Sequence, residues 1–255
     1  MIRRLAATSP VAVLALALAA CGSDDSSAGS SDGGETTLHV AAAASLTDAF
    51  EELKTDFEAE HEDVTIEYQF AGSSDLATQI DNGAQIDVFA SADEANMDKV
   101  KDSVEESTIF ATNVLTIITE AGNPKKITGL KDLEKSDLDV VVCAEQVPCG
   151  AATKKLTEQQ DVTLDPASEE SKVTDVLTKV STGEADAGLV YVTDATGAGD
   201  KVEAVKTEGA DKVVNKYPIA SLKDASAGDT ASEFVDYVLG PEGQKVLKDK
   251  GFGAP

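Results

Sequence analysis

Apolar residues in this 255-residue chain occur in two patterns that alternate along the sequence. Leu38–Ala43 is a short apolar run typical of a buried strand, and the apolar positions from Leu46 to Phe57 lie on one helical face. The other strands predicted in this way are Thr65–Phe70, Asp87–Ala90, Val114–Ile118, Val140–Cys143 and Ala187–Val192. Strands that alternate with helices predict an α/β fold with a largely parallel sheet covered on both faces.

Serine residues follow several of these strands at the points where helices are predicted to begin, namely Ser45, Ser73, Ser74 and Ser91. Each serine alone is most simply an N-cap. Ligands of parallel sheets bind beyond the carboxyl ends of the strands, however, and helix N-termini carry free N–H groups and a partial positive charge. Several such helix starts together therefore predict an anion site that needs no cationic side chain.

The charge balance narrows the classes of ligand. The chain has 21 basic and 47 acidic residues, for a net charge of -26, which disfavours nucleic acid as a partner. Its two arginines, Arg3 and Arg4, lie at the N-terminus, so the usual bidentate partner of a ligand carboxylate is missing from the body of the chain. Absence of tryptophan and an aromatic content of 4% disfavour a stacked carbohydrate.

The N-terminus has the pattern of a targeting segment. Residues 1–20 combine a basic start with a short apolar stretch, which predicts a secretory signal peptide rather than a membrane-spanning helix. The segment Leu18–Cys21 resembles the bacterial lipobox, which implies that Cys21 is lipidated. Residues 21–36 are rich in Ser, Gly and Asp and predict a flexible, lipid-anchored linker. We therefore expect the protein on the extracytoplasmic face of the cell membrane, attached through the lipid alone.

Two cysteines remain after Cys21, namely Cys143 and Cys149. In an oxidising compartment this pair predicts a disulfide. A metal pair is the alternative, but the two histidines, His39 and His61, are distant in sequence and do not complete a zinc spacing.

Five segments together resemble the molybdate-binding proteins of ABC importers, the ModA family. They are Ala41–Phe50 (AAAASLTDAF), Phe70–Leu76 (FAGSSDL), Gly83–Asp93 (GAQIDVFASAD), Val147–Gly150 (VPCG) and Gly188–Ala195 (GLVYVTDA). The resemblance extends over roughly residues 37–254. It implies a two-lobed type II periplasmic-binding-protein fold, in which each lobe is a mainly parallel sheet flanked by helices. Lobe I would comprise residues 37–112 and 216–255, and lobe II residues 113–215.

The resemblance also implies a ligand, molybdate or tungstate, held as an oxyanion without direct ligation of its metal. The residues implied to contact it are Ser45, Ser73, Cys149, Val173 and Tyr191. The two serines would offer hydroxyl and backbone N–H groups, Cys149 and Val173 backbone N–H groups, and Tyr191 its phenol. Cys149 stands where the family commonly has alanine, a change that a backbone contact tolerates.

The expected function is capture of molybdate or tungstate and its delivery to an ABC permease, by a monomer with no cofactor and no catalytic activity. Sulfate or another tetrahedral oxyanion is the alternative ligand. A ferric-iron binder would suit the negative charge, but the adjacent tyrosine pair typical of iron binders is absent. A serine hydrolase is disfavoured because AGSSD lacks the Gly-x-Ser-x-Gly pattern of a nucleophile elbow.

Overall fold

A computed structural model describes residues 35–255, in which the strands form two five-stranded sheets. The predicted signal peptide, the lipidation site Cys21 and linker residues 21–34 lie outside the described residues. Within 35–255, every helix is too short or too polar to cross a membrane. The strands are β1 (Thr36–Ala43), β2 (Val64–Ala71), β3 (Val88–Ala90), β4 (Thr108–Asn113), β5 (Leu115–Glu120), β6 (Val140–Cys143), β7 (Ser168–Glu170), β8 (Ala187–Tyr191), β9 (Val202–Val205) and β10 (Asn215–Ser221). The α-helices are α1 (Thr47–Glu60), α2 (Ser73–Asp81), α3 (Glu94–Lys99), α4 (Pro148–Gln159), α5 (Val173–Ser181), α6 (Val192–Ala198), α7 (Gly228–Leu239) and α8 (Pro241–Asp249).

The first sheet has the strand order β2-β1-β3-β10-β4. Strands β2, β1 and β3 are parallel, and β10 is antiparallel to both of its neighbours. One strand of five therefore runs against the others. The second sheet, in the order β7-β6-β8-β5-β9, repeats this arrangement with β5 as the opposed strand. The predicted α/β class with mainly parallel sheets is confirmed, since four of the five strands in each sheet run in the same direction.

Both faces of the first sheet are buried around the second half of β1, which explains why Val40–Ala43 is apolar without alternation. Val40 and Ala42 face a core that contains the aromatic side chains of Phe50 on α1 and Phe234 on α7. Ala41, between them, faces the opposite side, where it packs with residues of α2 and α3 such as Leu76. Because successive side chains of a strand point to opposite faces, a strand covered on both sides needs apolar residues throughout.

The second sheet is covered by α4, α5 and α6 around one continuous core. Gly188 on β8 permits close packing of α5, since a Cβ there would lie 2.6 Å from a methyl group of Val176. Val114 alone separates β4 of the first sheet from β5 of the second. The chain returns to the first sheet between Val205, which ends β9, and Asn215, which begins β10.

One carboxylate ties the first sheet together. Asp87, 1% exposed, accepts hydrogen bonds from the backbone N–H of His39 at 2.8 Å, from the hydroxyl of Ser226 at 2.9 Å and from the backbone N–H of Ala227 at 3.1 Å. These donors compensate the burial of a charge. The carboxylate links β1 to the start of α7, so its role is structural.

Candidate functional site

A small cavity lies where strands of both sheets end and the following helices begin. Its volume is only about 10 Å³, so the groups that line it lie close together. None of its lining residues carries a charge. They are Ala43, Ala44, Ser45, Ala71, Gly72, Ser73, Ala92, Val147, Pro148, Cys149, Val173 and Tyr191. All five residues predicted to contact a ligand, Ser45, Ser73, Cys149, Val173 and Tyr191, are therefore brought together at one place.

The two serines, which we call the serine half of the cavity, follow strands of the first sheet. Ser45 lies in a short 3₁₀ turn that precedes α1, and Ser73 is the first residue of α2. Neither side chain caps its helix, although an N-cap was the simplest expectation for each. The hydroxyl of Ser73 instead accepts a hydrogen bond from the backbone N–H of Ala92 at 3.0 Å. Its own proton therefore remains free to be donated.

Ser45 is hydrogen-bonded to Tyr217, a residue that no sequence pattern marks as part of the site. The hydroxyl oxygens of Ser45 and Tyr217 lie 3.0 Å apart, and Tyr217 is fully buried on β10. When Tyr217 donates in this pair, the proton of Ser45 is available to the cavity. Burial, the largest effect, raises the pKa of Tyr217 far above its usual value, so it stays a neutral phenol that can donate.

Cys149 and Val173, which we call the amide half, lie at the starts of helices beside the second sheet. Pro148 begins α4 and has no N–H, so the first N–H of that helix belongs to Cys149. Val173 is the first residue of α5. The first N–H groups of a helix have no acceptor within the helix, and the helix dipole makes this end favourable for an anion.

The predicted disulfide is present and joins the two sides of the turn before α4. Cys143 ends β6, Cys149 lies on α4, and their Cα atoms are 5.7 Å apart. Gly150 follows, where a Cβ would collide with the backbone carbonyl of Ala144. The covalent link and the close backbone approach together set the direction of the Cys149 N–H.

Tyr191, the last residue of β8, is the fifth residue predicted to contact the ligand, and it is 1% exposed. Its hydroxyl oxygen accepts a hydrogen bond from the side-chain amide of Asn215 at 2.9 Å. Burial is the largest cause of a pKa well above the usual tyrosine value, so the phenol keeps its proton. Tyr191 is therefore a neutral donor at physiological pH.

The serine, amide and phenol groups that line the cavity can all act as neutral hydrogen-bond donors. Such a set favours an anion that carries no proton of its own, because a protonated oxygen would need an acceptor. Among the described residues, no carboxylate lines the cavity, and the two nearby in sequence have structural roles: Asp87 links elements of the first sheet, and Asp93 caps α3 through a 2.8 Å bond from the N–H of Asn96. Neither His39 nor His61 lines the cavity.

A second, wider cleft of about 370 Å³ also borders Ser45, and the carboxylates of Asp48, Asp194 and Asp249 line it. Asp48 lies on α1 and Asp194 on α6, and Asp194 accepts a 2.9 Å hydrogen bond from the backbone N–H of Tyr191. Burial raises the pKa of Asp194 to about 7, with repulsion from Asp48 adding to it and the hydrogen bond from Tyr191 opposing it. Lys201 and Lys250 line the same cleft.

The comparison with family models gives one match that spans residues 38–253, to the bacterial extracellular solute-binding proteins. The chain belongs to this family. A relative in Mycobacterium tuberculosis, the molybdate-binding protein ModA, is 46% identical over 250 residues, which cover 96% of this chain and 95% of the relative.

Two solved structures share the fold. The periplasmic molybdate-binding protein of Azotobacter vinelandii has a TM-score of 0.69 at 21% identity, with 86% of this chain and 99% of that chain covered. The sulfate-binding protein SubI of Mycobacterium tuberculosis has a TM-score of 0.73 at 17% identity, with 85% and 86% covered. A fold shared by binding proteins for two different oxyanions leaves the choice of ligand to the local geometry of the cavity.

Proposed function

We propose that this protein captures molybdate, and tungstate of nearly the same size and charge, and delivers it to an ABC importer. The observation that carries the proposal is the uncharged cavity in which Ser45, Ser73, Cys149, Val173 and Tyr191 converge. The relative at 46% identity that carries the name molybdate-binding protein supports the same ligand.

Neutral donors are sufficient for a dianion. A hydrogen bond to a charged group contributes about 1.5–3 kcal/mol net, and several of them exceed the cost of association and closure. The net charge of -26 repels an anion at long range, so affinity must come from these short contacts. Selectivity against sulfate and phosphate follows from size, because donors spaced for long metal–oxygen bonds do not reach a smaller anion.

In this proposal the two sheets with their helices are lobes that close on the ligand. Residues 37–112 and 216–255 form one lobe, and residues 113–215 form the other. The closed protein, a monomer held to the extracytoplasmic side of the membrane by lipid on Cys21, presents its surface to the permease. It performs no reaction and needs no cofactor.

A thermal-shift panel tests the ligand. We expect molybdate and tungstate to raise the melting temperature of the purified protein, because a ligand that binds only the folded state stabilises it. Equal concentrations of sulfate and phosphate should leave the melting temperature unchanged. Equal shifts with all four anions would defeat the proposed selectivity, and a shift with sulfate alone would favour the alternative ligand.

A further inference from the structure

We infer that Asn215 is a positioning residue that keeps the hydroxyl proton of Tyr191 directed at the bound anion, an inference that rests on the proposed function. Asn215 is the first residue of β10 in the first sheet, whereas Tyr191 is the last residue of β8 in the second. Asn215 does not line the cavity, so it acts through Tyr191.

The orientation of the Asn215 amide follows from its partners. The backbone carbonyl of Ala92 can only accept, and it lies 3.0 Å from the side-chain nitrogen of Asn215. That contact fixes which end of the amide is nitrogen. The same nitrogen lies 2.9 Å from the hydroxyl oxygen of Tyr191, so its second proton is donated there.

The direction of this hydrogen bond decides what Tyr191 can do. A phenol that accepts from Asn215 still has its own proton, which it can donate to an anion. A carboxylate in the place of the amide would accept that proton instead, and the Tyr191 oxygen would present lone pairs to the cavity. An apolar side chain at position 215 would leave the direction of the Tyr191 hydroxyl proton unfixed.

Asn215 also connects the serine half to Tyr191. The backbone N–H of Ala92 holds the hydroxyl of Ser73, while the carbonyl of Ala92 holds Asn215, which in turn holds Tyr191. One chain of hydrogen bonds thus aligns a donor of the first sheet with a donor of the second. Tyr191 and Ser73 are each 1% exposed, so replacement water has little access to their hydroxyl groups.

A double-mutant cycle tests whether Asn215 acts through the Tyr191 hydroxyl. Molybdate affinity is measured by titration calorimetry for the wild type, Asn215→Leu, Tyr191→Phe and the double variant. We expect Asn215→Leu to lower affinity at least tenfold in the wild type and less than twofold in the Tyr191→Phe background. Wild-type affinity in Asn215→Leu, or an equal loss in both backgrounds, would overturn the inference.

Two further variants separate positioning from a structural role. Asn113 is another buried asparagine that links the two parts of the fold, but its amide donates from the end of β4 to Thr193 on α6 at 2.8 Å. Asn113→Leu should therefore lower affinity by a similar factor with and without the Tyr191 hydroxyl. If Asn215→Leu fails to fold, Asn215→Asp has nearly the same shape, and we expect it to lower affinity more than tenfold in a folded protein. A folded Asn215→Asp variant with wild-type affinity would also overturn the inference.

Failure of the proposed function can be distinguished from failure of the positioning role of Asn215. A wild-type protein that does not bind molybdate in the calorimeter defeats the choice of ligand. The same cycle is then run with the oxyanion that raises the melting temperature in the thermal-shift panel. Coupling between Asn215 and Tyr191 with that anion supports the positioning role, and its absence overturns it.

Discussion

The serine half and the amide half of the cavity offer similar donors but hold them in place by different means. Ser45 is positioned by its hydrogen bond with the hydroxyl of Tyr217, and Ser73 by the bond that it accepts from the N–H of Ala92. Cys149 and Val173 offer backbone N–H groups whose direction is set by helix starts and, for Cys149, by the disulfide. Side-chain changes should therefore disturb the serine half, and changes in backbone geometry should disturb the amide half.

The largest effect should come from Gly150→Ala in the amide half. The new Cβ would collide with the backbone carbonyl of Ala144, within a turn already closed by the disulfide. Because backbone rather than a flexible side chain must move, we expect a loss of about 3 kcal/mol of unfolding free energy, measured by urea titration.

Gly129→Ala is the matched control for that variant. Nothing lies within 4 Å of a Cβ at Gly129, whose φ of 177° is an extended conformation. We expect a change within about 0.5 kcal/mol. A similar loss in both variants would mean that close packing at Gly150 does not explain its cost.

Removal of the disulfide should have the next largest effect. The two cysteines are six positions apart, and a small loop of this kind stabilises by about 2 kcal/mol in the chain-entropy model. We expect Cys143→Ser with Cys149→Ser to lose about that amount in urea unfolding and to bind molybdate more weakly. Reduction of the wild type should reproduce both losses. Unchanged molybdate affinity would show that the helix start alone directs the Cys149 N–H.

The equivalent glycine of the serine half should behave differently. A Cβ at Gly72 would collide with the backbone carbonyl of Ser171, which belongs to the segment before α5. The clash lies between the two halves, so Gly72→Ala should keep them apart while each folds normally. We expect at least a tenfold loss of molybdate affinity, or about 1.4 kcal/mol, with nearly unchanged stability of the ligand-free protein. A stability loss as large as that of Gly150→Ala would contradict this assignment.

Short-range patterns singled out the serine half as candidate helix starts, whereas Cys149 and Val173 of the amide half were implied only by the resemblance to the ModA family. Ser45 and Ser73 follow apolar strands, and the carboxyl ends of neighbouring strands meet at one edge of a sheet. The disulfide also followed from local sequence, because only two cysteines remain after Cys21.

The residues that support these donors could not be predicted in the same way. Tyr217 and Asn215 lie on β10, whose sequence NKYPIAS mixes polar residues and a proline and has no clear strand pattern. Tyr217 reaches Ser45 across 172 sequence positions, and Asn215 reaches Ala92 across 123. Contacts of such separation depend on the tertiary fold, so nothing local marks these side chains.

The smallest effect concerns two carboxylates that follow cavity residues by the same spacing, Asp48 three positions after Ser45 and Asp194 three positions after Tyr191. The pKa of Asp194 is raised to about 7, so folding favours its protonated form and wild-type stability falls as pH rises from about 4 to 7. Asp194→Asn keeps an oxygen that can accept from the N–H of Tyr191 but removes the repulsion from Asp48. Asp194 faces a cleft that also contains Lys201 and Lys250, which limits the size of the effect. We therefore expect the unfolding free energy of Asp194→Asn, relative to that of the wild type, to be about 1 kcal/mol higher at pH 8 than at pH 5. Urea titrations at both pH values measure this gain, with the exposed Asp200→Asn as control. An equal difference between Asp194→Asn and the wild type at the two pH values would show that the carboxylate is ionised in the folded protein throughout this range.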